Sequence, residues 1–344
     1  DFNYNLGLHY ESGTGVQKSY EEAARFFQLA STQGHIQATL KLAHYYSKGI
    51  GLKKDDQKAF LLYTQLSNSG DIEATYQLAQ FYLKGISTQK NEKKALQLFQ
   101  LASDAGHADA TSSLGECYAK GLGTPIDPQR ATQLYSLASQ RGSHIGTCKL
   151  AACYHSGFGI PRNAKRALKL YQEASEAGNS EASLALAEVY TNVKKDMNKY
   201  LHYYKLSASQ GNSNAALALA TMYLVGEIVP KDTSEALKYC KMAVDLGNPY
   251  AAHNLAGMYL NGQGVERNAK EAARLFKMAI DGGNLASAYN LAQLYAAGIG
   301  VPVDAKESFR LYKIGHENRN ILSTFNLAFF YYNGIVVPQN YQEA

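Results

Sequence analysis

No stretch of this sequence stays apolar long enough to cross a bilayer as a helix. The longest apolar run, Ala215 to Gly226, stops at Glu227, short of the roughly 20 residues a spanning helix needs. Cysteine is scarce. Cys117, Cys148, Cys153 and Cys240 fall at no regular pairing interval, which argues against a disulfide framework without identifying a compartment. Net charge is also modest: +5 over 344 residues, not the basic excess with which a nucleic-acid binder neutralises phosphates. What excess there is lies in the first 210 residues, because from Gly211 onward 11 basic residues face 11 acidic ones. The many Gly-x-Gly pairs do not make a phosphate loop, since no strand precedes them. No secretory leader is visible. The chain starts at Asp1 rather than Met, so a processed or trimmed piece is expected and the missing leader says little about the parent protein. With 46% hydrophobic and 18% charged residues, an extended disordered chain is excluded.

What the sequence does have is a period. The segment Leu-(Ala/Gly)-x-x-Tyr recurs ten times, from Leu6 and Tyr10 to Leu327 and Tyr331. Consecutive leucines are 36 residues apart, except Leu186 and Leu219, which are 33 apart. Residues four apart share a helix face, so Ala38, Leu42 and Tyr46 form one apolar stripe, as do Ala74, Leu78 and Tyr82. A glycine that tolerates the left-handed conformation closes this first helix, for example Gly13, Gly49 and Gly85. Thirteen residues after each Leu, or ten in the shortened repeat, stands an N-cap residue: Ser19, Asp55, Asn91, Asp127, Asn163, Asp196, Asp232, Asn268, Asp304 and Asn340. Their side-chain oxygens suit the orphan N–H groups of a second helix. Glu22, Glu235, Glu271, Glu307 and Glu343 complete capping boxes or close variants. That helix buries Ala and an aromatic, as in Ala23 with Phe27 and Ala167 with Tyr171. A further Gly ends it, often followed by a fresh cap such as Asp71, Asn179, Asn212, Asn248 or Asn284.

The predicted fold is all-α: a right-handed superhelical solenoid of about ten antiparallel helix pairs, one domain spanning 1–344. Its first and last repeats are cut mid-unit, with residue 1 inside a first helix and Ala344 inside a second, so more chain is expected on at least one side. In "VYTNVKKDMNKYLHYY", Val189 to Tyr204, three residues of the Gly-x-Gly loop are missing. Asn192 is expected to close the helix in place of glycine, with Lys194 and Lys195 on a trimmed loop rather than at a hinge.

A first helix A-x-x-x-L-(A/G)-x-x-Y-x-x-G-x-G, then a cap, then (K/E)-A-x-x-(Y/F)-x-x-A-x-x-G, resembles the Sel-one-like repeat family. "AHNLAGMYLNGQGVERNAKEAARLFKMAIDGG", Ala252 to Gly283, follows that pattern almost position by position, and the resemblance covers essentially the whole chain. It implies a non-catalytic scaffold that holds protein partners. The Trp-free texture resembles exported bacterial members that act on a host, which implies a secreted or periplasmic location or delivery to a host cell. One alternative is an envelope regulator holding a cell-wall enzyme or glycan. A weaker one is hydrolysis of β-lactams by the cysteine-rich members, whose paired-cysteine pattern is missing here.

Chemistry-bearing residues have packing explanations. Of the 26 tyrosines, ten are the first-helix column, and Tyr63, Tyr135, Tyr171, Tyr204 and Tyr312 belong to the second-helix aromatic column. Cys148 and His155 share a helix face, but two ligands fall short of a structural zinc site, so neither metal nor cofactor is expected. His35 and His107 follow helix-ending glycines, and no nucleophile is paired with them. In helix-pair solenoids the first helices line the concave surface. Positions two before each Leu, two after it, and five or six after it point inward. They hold Tyr4, Tyr76, His253, Tyr289 and Phe325, then His44, Gln80, Gln293 and Phe329, then His155, Leu260 and Tyr332. Lys48, Lys84 and Lys120 recur one repeat apart. The expected site is a groove with a lysine ladder and an aromatic patch, fitting a protein partner with an acidic segment.

Overall fold

The repeat signals fold as they read. The computed structural model describes residues 1–192 and 196–344, and among them lie nineteen helices and no strand. Two compact units divide at Ala177 and Gly178. The first contains α1 (Phe2–Ser12), α2 (Tyr20–Thr32), α3 (Ile36–Lys48), α4 (Asp56–Asn68), α5 (Ile72–Lys84), α6 (Glu92–Asp104), α7 (Ala108–Lys120), α8 (Pro128–Gln140), α9 (His144–Ser156) and α10 (Ala164–Glu176). The second contains α11 (Ser180–Asn192), α12 (Met197–Ser209), α13 (Ser213–Val225), α14 (Thr233–Asp245), α15 (Pro249–Asn261), α16 (Ala269–Asp281), α17 (Ser287–Ala297), α18 (Ala305–Glu317) and α19 (Ile321–Asn333). None is long and apolar enough to cross a membrane among the described residues.

One backbone bond registers every pair. The N–H of the second-helix cap donates to the carbonyl of the core tyrosine, as in Asp55 to Tyr46 at 2.9 Å and Asn163 to Tyr154 at 2.8 Å. The cap side chain then accepts from the N–H three residues on, as Asp55 does from Lys58 at 2.9 Å. After α19, Asn340 caps only a single turn, accepting from Gln342 at 3.0 Å and Glu343 at 3.3 Å.

The Gly-x-Gly loops serve two purposes. Gly49 is left-handed at φ 69° and closes α3. Gly51, also left-handed, sits where a Cβ would lie 2.0 Å from the Tyr20 carbonyl, so the second glycine lets this loop touch the first turn of the preceding repeat's second helix.

The core is deeper by one position than the apolar stripes predict. In most repeats the residue three after the Leu is buried, such as Tyr45 and Phe81 in the first unit and Met258 and Leu294 in the second, whereas Tyr154, Tyr190 and Tyr223 keep the predicted position four after it buried. Tyr46, Tyr82 and Tyr259, four after it, are half-buried. Opposite them stand the second-helix aromatics Phe27, Tyr63, Phe99 and Phe276, all essentially inaccessible. Each such ring stabilises the fold by about 2–3 kcal/mol on burial.

Asn284 departs from its expected role as a cap. Its carbonyl accepts from the Ser287 N–H at 3.2 Å in a turn, and α17 begins at Ser287 with no side-chain cap. The expectations for Lys194 and Lys195 fall outside the described residues, and Asn192 is described only as the last residue of α11. On either side of them, α11 and α12 pack in register within the second unit, Tyr190 stacking on Tyr203 with ring centroids 5.3 Å apart.

Candidate functional site

In the first unit the exposed residues of α3 and α5 enclose a shallow cleft of about 230 Å³. Leu40 and Tyr63 form its floor, and Gln37, Lys41, His44, Glu73 and Gln77 its walls. Helical spacing puts Gln37, Lys41 and His44 on one face of α3. Lys41 is fixed from the preceding repeat: its Nζ donates to Glu11 Oε2 at 2.8 Å, and the Tyr45 hydroxyl donates to Glu11 Oε1 at 2.9 Å. Partial burial, together with Lys48 and Lys41 nearby, holds the His44 imidazole below its usual pKa, so it is neutral at pH 7 and able both to donate and to accept.

Glu73 ties this wall to the next repeat. His107 caps α7, its Nδ1 accepting from the Ala110 N–H at 3.0 Å. The proton of the neutral ring therefore sits on Nε2, 3.0 Å from Glu73 Oε2. The hydrogen bond to Glu73 raises the pKa of His107, and the same bond lowers that of Glu73. Tyr76 stacks on His107 with centroids 4.6 Å apart, as Tyr4 stacks on His35 at 4.4 Å. Tyr76 is thus half-buried between repeats rather than free for a partner. Sequence reasoning missed the brace beneath it. In four repeats the residue five before the Leu bonds the first-helix cap of the next repeat: Asp1 to His35, Glu73 to His107, Asp109 to Ser143, Asn214 to Asn248. A polar residue recurring at that position is the signal that could have shown it.

The lysine ladder divides. Lys48, Lys84 and Lys120 are exposed in the last turns of α3, α5 and α7, where a cation complements the helix dipole. Lys120 is bonded to Glu116. In the second unit, His253 Nδ1 lies 2.8 Å from Ser287 Oγ of α17, and the Tyr289 ring lies 6.2 Å from that of Tyr312 on α18 while its hydroxyl accepts from Gln293 within α17 at 2.6 Å, so both serve inter-helix packing as well as surface. Phe325, Phe329 and Tyr332, exposed at 72, 53 and 58%, form with Ala328 and Tyr341 an apolar recess of about 480 Å³ on α19.

Among the described residues no group of three His, Cys, Asp or Glu side chains converges as a metal site. All four thiols are buried. Burial pushes Cys117 up to about 12 and Cys240 to about 11, so neither is a thiolate nucleophile at neutral pH.

Stacked helix pairs whose variable side chains face outward between fixed packing columns define a helical repeat protein, a class built for contact surfaces. The Sel1 repeat model matches residues 1–35, 36–71, 72–107, 108–143, 145–179, 181–212, 213–248, 249–284, 285–315 and 321–344; the chain belongs to the Sel1 repeat family. Repeats of this family generally act as protein-interaction scaffolds. Among solved structures, a protective antigen of uropathogenic Escherichia coli with this fold is 26% identical over 99% of this chain and 74% of its own, with a TM-score of 0.56. A Sel1 repeat protein from Oxalobacter formigenes is 31% identical over 60% of this chain and 86% of its own, at a TM-score of 0.52. No curated protein matches the chain.

Proposed function

We propose that this protein is a non-enzymatic scaffold that holds a protein partner on the exposed positions of its first helices. The observation that carries this reading is the cleft between α3 and α5. It has an apolar floor, amide-bearing Gln37 and Gln77, a neutral His44, and the cationic end of Lys48 beside His44. That mixture suits a polypeptide segment, whose backbone needs donors and acceptors and whose acidic side chains need a cation. Lys84 and Lys120 extend the positive edge, and Tyr76 supports it from below. In the second unit, Phe325, Phe329 and Tyr332 offer aromatic anchors, with His253 and Tyr289 as flanking positions.

Similarity to the E. coli protective antigen supports an exported bacterial role in host interaction. The test reverses the ladder. Lys48→Glu, Lys84→Glu and Lys120→Glu together, compared with the parent protein in affinity capture from host lysate and from bacterial envelope extract, should abolish capture of the specific partner. Capture unchanged in amount and in salt dependence would contradict the site. Selective capture from envelope extract alone would move the protein to the cell-wall setting.

A further inference from the structure

The capping boxes fail in an ordered way. In α2 the third helical residue is Glu22, bonded to Arg25 at 3.0 Å. In α14, α16 and α18 the same position is Glu235, Glu271 and Glu307, bonded to Lys238, Arg274 and Arg310. Between them, every second helix carries a cation there instead: Lys58 in α4, Lys94 in α6, Arg130 in α8 and Arg166 in α10 of the first unit, and Lys199 in α12 of the second, where it is paired with Asp196 at 3.7 Å. All five are exposed. A positive charge in a first turn opposes the helix dipole and gives up the carboxylate–cation pair that Glu22, Glu235, Glu271 and Glu307 make three residues on, so helix stability does not explain the choice.

Ring contacts explain only part of it. Lys58 lies over Tyr46 at 5.1 Å, Arg130 over Tyr118 at 5.9 Å and Arg166 over Tyr154 at 4.7 Å. Yet Lys94, and with it Arg162 and Lys165 around the α10 cap, has neither carboxylate nor ring partner among the described residues. The cap side chains of Asp55, Asn91, Asp127 and Asn163 accept from backbone N–H groups at 2.9–3.0 Å, and the second Asp55 oxygen lies 3.6 Å from Lys58 Nζ in an exposed ion pair. The excess charge of the chain thus gathers on one edge of the first unit, where second helices begin.

We propose that this edge, with Lys58, Lys94, Arg130 and Arg166 as its rungs, is a docking ridge for an extended acidic segment of a partner protein. The inference deepens the scaffold reading and rests on it. One cation per repeat in a fixed register matches spaced carboxylates. A phosphate polymer is a poorer fit, because Asp56 and Glu92 hold Lys54 and Lys90 at 3.1 and 2.7 Å, and the edge tyrosines have their faces covered rather than open for base stacking.

The test is the full chain with Lys58→Glu, Lys94→Glu, Arg130→Glu and Arg166→Glu, which installs the glutamate that α2, α14, α16 and α18 carry at this position. Its melting midpoint should equal or exceed the parent's, and the corresponding four-glutamine variant gives the same reading without charge reversal. Binding of a fluorescein-labelled Glu-rich peptide is followed by anisotropy at low and high salt. The parent should bind, more weakly as salt rises, and both variants should lose about tenfold or more. Equal binding by parent and variants overturns the ridge. So does tighter binding of a single-stranded oligonucleotide or of phosphatidylserine-containing vesicles than of the peptide. A parent that captures a lysate partner through Lys48, Lys84 and Lys120 yet ignores the peptide overturns the ridge alone and leaves the scaffold reading in place.

Discussion

Asp196 donates its backbone N–H to the carbonyl of Tyr190 at 2.9 Å. In the other repeats nine residues separate these partners, as between Asp232 and Tyr223; here six do, and the bond is unchanged. The cap-to-tyrosine bond, not the length of the loop, therefore sets the register of the second helix on the first. The Asp196 side chain also accepts from the Lys199 N–H at 3.1 Å. Asp196→Ala should destabilise the protein by about 1 kcal/mol, the usual consequence of losing an N-cap, and Asp127→Ala should do the same. Urea unfolding midpoints check both. A negligible effect at Asp196 alone would show that the shortened repeat is held by something else.

Two left-handed glycines should respond differently to a methyl group. Gly34, at φ 81°, has open space where a Cβ would stand, whereas at Gly51, φ 64°, the Cβ would meet the Tyr20 backbone. Gly34→Ala pays only the conformational penalty, about 1–2 kcal/mol. Gly51→Ala must also push the loop off α2, and should lower the melting midpoint further. Equal effects would contradict the close approach.

The bond between His107 and Glu73 predicts a pH-dependent brace. Glu73 raises the pKa of His107 above its usual 6.5, so this contribution is fully present below that value and fades as pH rises through the raised folded pKa. The pKa of Glu73 is depressed from its usual 4.5, so its part is present above that value and fades as pH falls through the lowered one. The stability difference between parent and Glu73→Gln should therefore be largest at about pH 5–6 and smaller at about pH 8–9. Denaturant titrations across that range test it, and a flat difference would contradict the coupling.

Buried thiols with raised pKa values should be silent. Cys117 and Cys240, pushed up to about 12 and about 11, should not react with a disulfide reagent at neutral pH until the chain unfolds. Labelling rates in buffer and in denaturant distinguish this from an exposed, reactive thiol, which would label at once in both.

The sequence carried the helix pairs because their signals are local. A left-handed glycine such as Gly49, a cap such as Asp55 and the i, i+4 stripe from Ala38 to Tyr46 each act within one repeat. What it hid is what neighbouring repeats do to each other. Gly51 matters because of Tyr20, 31 residues earlier, and Glu73 because of His107, 34 residues later. The same stacking moved the deepest core from Tyr46 to Tyr45 and turned Tyr76 from a surface aromatic into a half-buried shelf. Asn284 looked like the caps at Asn212 and Asn248, but the turn at Leu285 and Ala286 displaced the helix start beyond its reach. The cationic rungs were visible all along as missing capping glutamates, and gained meaning only once the contacts around Lys94 were known.

The most direct measurement is photo-crosslinking from two exposed positions of the first unit. A crosslinking side chain is placed at His44, on the cleft, or at Leu101, which is 58% exposed on the second helix α6. The account predicts that the protein crosslinked in lysate at position 44 is a defined partner, absent from position 101 and lost when Lys48, Lys84 and Lys120 are changed to Glu. Crosslinking at 101 but not at 44, or no dependence on position, would contradict it.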